Sequence, residues 1–254
     1  MILGGAVCIR NGDVLDYPWR QAVTSLLPVC DEVVICVGSG NEDGTEEAAR
    51  RWSEIQPKIK VCIYKWPDPK GNPDFWVEWL NYARTHLSTD FHFQLDADEI
   101  LHEKSYDEVR KFVRQDMKRS AIVTRWNFWR DHRHTIPEGH CLGKHVIRIA
   151  PTKLWMASDG VHHLGSEVVR MGRPTGIEIF HYGFIRKRAE FFKKERQLQD
   201  FFFASYDKRL EAAEQHSENW MDMPGLCDWN GNLADYGGEH PKVMKGWLEE
   251  RGMK

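Results

Sequence analysis

The segment Phe91 to Leu101 reads FHFQLDADEIL. Phe91, Phe93 and Leu95 alternate with His92 and Gln94, the period-two pattern of a strand. Asp96, Asp98 and Glu99 then fall within four positions. At the end of a strand, residues i and i+2 project the same way, so Asp96 and Asp98 are expected to converge on one point. Two such carboxylates repel unless a cation lies between them. Magnesium and manganese take hard oxygen ligands and often join one or two carboxylates to a substrate's phosphates. The chemistry expected of this cluster is a metal–diphosphate clamp. The plainer reading is a solvated acidic turn.

The surrounding elements favour the clamp. GAVCIR, EVVICVG, KIKVCIYKW and DFHFQLD read as strands. Between them DYPWRQAVTSLLPVC, TEEAARRWSEIQ and PDFWVEWLNYARTHL read as helices, with Asp16 and Pro18 opening the first and Thr45 as the N-cap of the second. Such alternation implies a parallel sheet with right-handed crossovers, whose ligands bind beyond the carboxyl ends of the strands. Three polar loops lie there: RNGD, GSGNEDGT and DADE. After residue 103 the pattern changes. KSYDEVRKFVRQDMK reads as an amphipathic helix, SAIVTRWNFW, HVIRIAP and GIEIFHYGFI as strands, and KRAEFFKKERQLQDFFFASYDKRLEAAEQ as a helix. The last forty residues read as a mostly irregular tail. The expected architecture is α/β, a Rossmann-like, mostly parallel sheet in a single domain over 1–254, with a nucleotide-binding half (1–103) and an elaborated C-terminal half (104–254).

Composition narrows the classes. The chain has 254 residues, enough for a sizeable core, and a formal net charge of -3, which gives no support to bulk polyanion binding. No apolar run approaches a membrane span, and MILGGAVCIRNGD reads as a first strand and not a leader. The six cysteines form no C-x-x-C pair, and Cys8, Cys36 and Cys62 sit in expected buried strands. They read as small core residues in a reducing, cytoplasmic compartment.

RNGDVLDYPWRQAVTSLLPVCDEVVICVGSGNEDGTEEAA resembles the N-terminal signature of family 2 glycosyltransferases, which have the GT-A fold. FQLDADEILHE resembles that family's D-x-D segment, IFHYGFIRKRAEFFKKERQ its later HYG strand and helix, and YGGEHPKVMKGW a tail segment of some bacterial and viral members. The resemblance implies inverting transfer of a sugar from a nucleotide-sugar donor, a UDP-sugar first, with Mn2+ or Mg2+ on its diphosphate. It implies Asp96, Asp98 and His181 as metal residues, Asp98 the most direct. It implies Ile9, Arg10, Asn11, Ser39, Gly40, Asp43, Asn81, Gln94 and Asp96 around the nucleotide sugar. The sequence departs from the family at two places. Val37 and Gly38 stand where members often carry an Asp that contacts the base, and His163 falls where many carry a Glu that serves as candidate base.

An inverting displacement needs a group to deprotonate the acceptor hydroxyl. Asp159, His162, His163 and Glu167 in SDGVHHLGSE are the candidates, with Glu99 a further one or else a partner that orients the metal residues. His181 by itself reads as readily as a core histidine with a satisfied hydrogen bond. On the acceptor side, TRWNFWRDHRHTIPEGHCLGKH mixes Arg125, Arg130, Arg133 and Lys144 with Trp126, Phe128, Trp129, His132 and His134. Aromatics stack on sugars or bases and basic residues meet phosphates, while the tryptophans read first as strand packing. A saccharide, a protein or a modified DNA base all fit as acceptor. The competing functions are a sugar-nucleotide pyrophosphorylase or related nucleotidyltransferase, which would open on a longer Gly-rich basic loop, and a non-catalytic nucleotide or glycan binder, which would not need the acidic cluster.

Overall fold

The structure is a computed structural model describing residues 1–66, 75–115, 119–137, 144–154, 172–202 and 233–253, with only the backbone of 198–202. The first half alternates as the sequence predicts: β1 (Leu3–Ile9), α1 (Trp19–Leu26), β2 (Glu32–Gly38), α2 (Thr45–Ile55), β3 (Ile59–Tyr64), α3 (Phe75–Thr85) and β4 (Phe91–Asp96). There follow β5 (Glu99–Leu101), α4 (Tyr106–Gln115), β6 (Ser120–Trp129), β7 (His134–Thr135), β8 (His145–Pro151) and β9 (Gly172–Phe184). After them come α5 (Arg188–Phe202), β10 (Ala234–Asp235) and α6 (Lys245–Glu249).

All ten strands join one sheet, running β10-β7-β6-β8-β4-β1-β2-β3, with β9 bridging β5 and β6. β3, β2, β1 and β4 are parallel neighbours. β8 runs antiparallel to both β4 and β6, and β9 runs parallel to β6. Residues on β2 are buried on both faces, which explains its unbroken apolar run. Val33, Ile35 and Val37 share a core with Trp19 and Leu26 of α1, Ala49 of α2 and Phe112 of α4. Val34 and Cys36 pack instead with Phe75, Trp79 and Ala83 of α3.

Cys62, Cys36 and Cys8 stand in register on adjacent strands, and the next position in that row is Asp96. Cys8, Cys30, Cys36 and Cys62 are free thiols, and burial pushes the Cys30 thiol up. Cys141 and Cys227 lie outside the described residues. Among the described residues no helix is long and apolar enough to cross a membrane.

Three local expectations change. Thr45 is the first residue of α2 and not its cap: its N–H donates to Asp43 Oδ1 (3.0 Å), while its hydroxyl accepts the Gly12 N–H (2.8 Å). The described part of the tail, irregular over much of its length, is nonetheless docked on the fold: β10 adds to β7, and α6 buries Trp247 and Leu248 in the main core. β5, β7 and β10 are two or three residues long, too short to show a period in the sequence.

Candidate active site

The loops after β1 and β2 are stitched together by side chains accepting backbone N–H groups. Asn11 sits in the left-handed region (φ 54°), where Asn is among the favoured residues. Its N–H donates to Asn41 Oδ1, and its own Oδ1 accepts the Glu42 N–H, both at 2.8 Å. Asp43 Oδ2 accepts the N–H groups of Asp13 (2.9 Å) and Val14 (2.8 Å). Asp43 therefore braces the loops with both carboxylate oxygens, where a nucleotide-lining side chain was expected. The Arg10 guanidinium donates to the carbonyls of Ser39 (3.2 Å) and Gly40 (2.8 Å) and lies over the Trp66 ring. A Cβ on Gly38 would meet the Trp66 ring at 2.7 Å, so this ring occupies the side-chain space at the end of β2. Asn11 Nδ2 is buried with no protein partner, one donor left over by the stitching.

Other expected nucleotide residues are set deeper. Ile9 is packed in the core shared by α1 and α2. Gln94 is buried within β4, two residues short of the strand end, with Nε2 donating to the Leu95 carbonyl. Asn81 is buried on α3.

The carboxylates after β4 are arranged differently from the expectation. β4 ends at Asp96 and β5 begins at Glu99, so Ala97 and Asp98 form a turn that separates the acids. Glu99 is fully buried. It takes two 2.7 Å bonds from Arg148, through Nε and Nη2, and one of 3.2 Å from Arg125 Nη1. Arg148 Nη2 also reaches Asp96 Oδ2 (3.2 Å), and the Asp96 N–H donates to Glu99 Oε2 (3.2 Å). Burial alone would raise the Glu99 pKa; Arg148 and Arg125 outweigh it and hold the carboxyl below its ordinary range.

Asp98 faces the other way. Its Oδ2 accepts from Arg186 Nη2 (2.7 Å) and lies 3.6 Å from Lys194 Nζ. Its Oδ1 lies 3.5 Å from His181 Nε2. Burial pushes the Asp98 carboxyl up, but Lys194, His181 and Arg186 together bring it below its usual value. Three carboxylates thus meet four cationic side chains, so mutual repulsion no longer demands a metal. Among the described residues no group of three or more His, Cys, Asp or Glu side chains gathers to hold one.

What does fit a divalent ion is the pair Asp98–His181. His181 Nδ1–H donates to Asn127 Oδ1 (3.0 Å), which leaves the Nε2 lone pair facing the Asp98 oxygen. Burial pulls the imidazole down to about 4, so at neutral pH two electron-rich atoms oppose each other without a proton between them. The pairing is set by the sheet: Glu99 and His181 are partners in the β5–β9 ladder, and Asn127 and His181 in β6–β9. A Cβ on Gly183 would lie 2.5 Å from His181 Nε2 and 2.9 Å from Asp98 Oδ2, so only glycine leaves this cradle open. A magnesium or manganese ion at such a pair would draw the rest of its ligands from substrate phosphates and water.

Sequence reasoning missed Arg148, Arg186, Lys194, Asn127 and Gly183, and it put Arg125 on the acceptor side, whereas that side chain is buried against Glu99. Gly183 had a signal, being a glycine inside an apolar strand, which marks a close approach. Asp159, His162, His163 and Glu167 lie outside the described residues. On the acceptor side Trp126 Nε1 donates to Glu178 (2.9 Å), and Phe128 and Trp129 are buried, in keeping with strand packing. His134 Nδ1 is bonded to Asp131.

No family model matches the sequence, and no curated protein matches it. Among solved structures, TarS of S. aureus aligns with 84% of this chain at 12% identity and a TM-score of 0.50. The fold is that of the GT-A glycosyltransferase structures. The chain spans 43% of that TarS structure's length. TarS 1-349 in complex with UDP-GlcNAc aligns with 84% of this chain and 71% of its own, at 13% identity and a TM-score of 0.49. A structure from Bacillus anthracis assigned as a glucose-1-phosphate thymidylyltransferase aligns with 80% of this chain and 98% of its own, at 10% identity and 0.49. At these identities the likeness concerns the fold.

Proposed function

We propose that this chain is an inverting glycosyltransferase that moves a sugar from a nucleotide-sugar donor, a UDP-sugar first, to a hydroxyl acceptor. The observation that carries the reading is the Asp98–His181 pair at the carboxyl end of β4, with its cradle kept open by Gly183. The GT-A fold supports it, as does the stitched platform of Arg10, Asn11, Ser39 and Gly40 at the ends of β1 and β2. Asp98 and His181 would hold Mn2+ or Mg2+, with Asp96 at the more exposed mouth toward the donor sugar. That ion, when bound, supplies Lewis-acid stabilisation of the departing diphosphate.

The remaining chemistry belongs to the chain. The acceptor hydroxyl attacks the anomeric carbon as its proton passes to a base. The bond from that carbon to the diphosphate oxygen breaks, and its electron pair leaves with the nucleoside diphosphate. The base is drawn from Asp159, His162, His163 and Glu167. Glu99 has a supporting role, since both its oxygens are engaged by Arg125 and Arg148. Asn127 fixes the His181 tautomer, as partners of ligating histidines commonly do. The acceptor is a saccharide, a protein or a modified base in DNA.

The test is a panel of nucleotide sugars with manganese or magnesium, read as nucleoside diphosphate released with and without chelator. Failure to consume any donor would sink the reading. Release of pyrophosphate in place of nucleoside diphosphate would reassign the chain to nucleotidyl transfer.

A further inference from the structure

Two cations flank Asp98, and they are not equivalent. Arg186 is committed through all three of its nitrogens. Its Nε donates to the Gly183 carbonyl (2.9 Å), its Nη1 to the Leu15 carbonyl and its Nη2 to Asp98 Oδ2 (2.7 Å), and its plane lies over Tyr17. It ties the end of β9, the turn before α1 and the DADE loop together, and has little left to offer a ligand. Lys194, from α5, is its opposite. Its side chain is 11% exposed, with the ammonium between the rings of Tyr17 (5.6 Å) and Phe184 (5.7 Å). The carboxylate nearest to it, Asp98 Oδ2, lies at 3.6 Å, beyond hydrogen-bond length. An ammonium carries three donors. Among the described residues, a buried ammonium held by this one long carboxylate contact has donors to spare, and an anion that accepts them offsets the cost of withdrawing the charge from water.

The position of this ammonium defines the anion. It shares Asp98 with His181, the two residues that fit a divalent ion, so a group bridging them must present oxygens to a metal and to a lysine together. A diphosphate does this. We infer that Lys194 is a catalytic residue that grips the diphosphate of a nucleotide-sugar donor and stabilises the charge gathering there as the glycosidic bond breaks. This rests on the glycosyltransferase reading. Lys194 donates hydrogen bonds in this step and keeps its proton; the electron pair of the broken bond stays on the terminal phosphate oxygen. Asp98 holds the ammonium in place before the donor arrives, while Arg186 keeps Asp98 itself fixed.

The experiment uses the full chain, with Lys194→Met and Lys194→Arg, after confirming by melting temperature that each folds. Turnover of the preferred UDP-sugar is measured alongside calorimetric binding of UDP and UMP in manganese. Lys194→Met should lower kcat about 100-fold, the scale for loss of one donor to a developing oxyanion. It should weaken UDP markedly and leave UMP within about twofold, since UMP lacks the second phosphate, and Lys194→Arg should recover part of kcat. A role confined to packing would move UDP and UMP together, and that result, or a kcat in Lys194→Met within twofold of the parent, overturns the inference. Should Lys194→Met fail to fold, Lys194→Gln is compared with the parent for thermal stabilisation by inorganic pyrophosphate, and equal stabilisation overturns it. If the parent itself releases no nucleoside diphosphate from any donor, the glycosyltransferase reading has failed first, an outcome separate from unaffected Lys194 variants.

Discussion

Two acidic loops lie at the carboxyl ends of the parallel strands β2 and β4, on either side of β1, and they neutralise their charge by different means. The loop after β2 hands its carboxylate to backbone: Asp43 accepts from the N–H groups of Asp13, Val14 and Thr45. The loop after β4 hands its carboxylates to side chains from β6, β8, α5 and the turn between β9 and α5. For Asp43 this first solution is built from neighbouring turns, and in that loop only Glu42 reaches farther, to Lys193 of α5 at 3.7 Å. The second exists only when the C-terminal half has folded onto the first. An acidic string in a sequence thus reports where negative charge sits, while what compensates it depends on residues far away.

This contrast can be broken most forcefully at Glu99. Glu99→Ala removes the buried carboxylate that Arg125 and Arg148 share and leaves Arg148 only the partly exposed Asp96, and a loss of about 3–5 kcal/mol is expected in urea denaturation. A loss below about 1 kcal/mol would show that the arginines find water or other partners, and the distinction between the loops would collapse. Next in size, Asn127→Ala frees the ring of His181 and should reduce donor turnover or divalent-ion affinity by about 10- to 100-fold, with the fold retained by circular dichroism. Asp43→Ala removes the acceptor of three backbone N–H groups and should cost about 1–2 kcal/mol, less than Glu99→Ala because no buried cation is stranded.

The smallest effects concern histidines outside both loops. Burial pulls His92 down to about 3, and neither ring nitrogen has a hydrogen-bond partner among the described residues. Burial likewise pulls His240 down to about 4, where it bonds the Tyr182 hydroxyl and the His132 carbonyl. Both pKa values fall below the unfolded value of 6.5, so the unfolded chain binds protons that the folded one refuses. Stability from these residues is complete above pH 6.5 and drains away as pH drops toward about 4 and then about 3. Melting temperature followed across that window should decline, and His92→Leu should flatten the decline while changing stability at neutral pH by no more than about 1 kcal/mol. An unaltered acid slope in His92→Leu would mean that His92 takes no part in it.

The longer strands and the three polar loops were legible because each follows from local pattern: β8 and β6 match HVIRIAP and SAIVTRWNFW residue for residue, while the order of strands in the sheet and the short β5, β7 and β10 were not. The mostly parallel α/β sheet followed from that alternation, and the GT-A architecture from the resemblance that the motifs carry. The counter-charges were not legible. Asp98 and Arg186 are 88 residues apart, and nothing in RWNFW or FFKKERQ says which basic residue turns inward. The turn at Ala97 was missed because an alternating pattern does not show where a strand stops. The backbone contacts of Asp43 were hidden for a related reason: a carboxylate in a glycine-rich loop looks the same in sequence whether or not it also binds its own backbone.

The ladder that brings β5 against β9 has a consequence for change by insertion or deletion. Glu99 stands opposite His181 by hydrogen-bond register, and side chains alternate between the two faces of a strand. Adding or removing one residue between Ile179 and His181 would present the neighbouring side chain in place of the imidazole, while leaving composition and hydropathy almost untouched. Point substitutions can tune this centre by degrees. A change in length reads instead as a frame error, and the strand should be far more tolerant of what it spells than of how long it is.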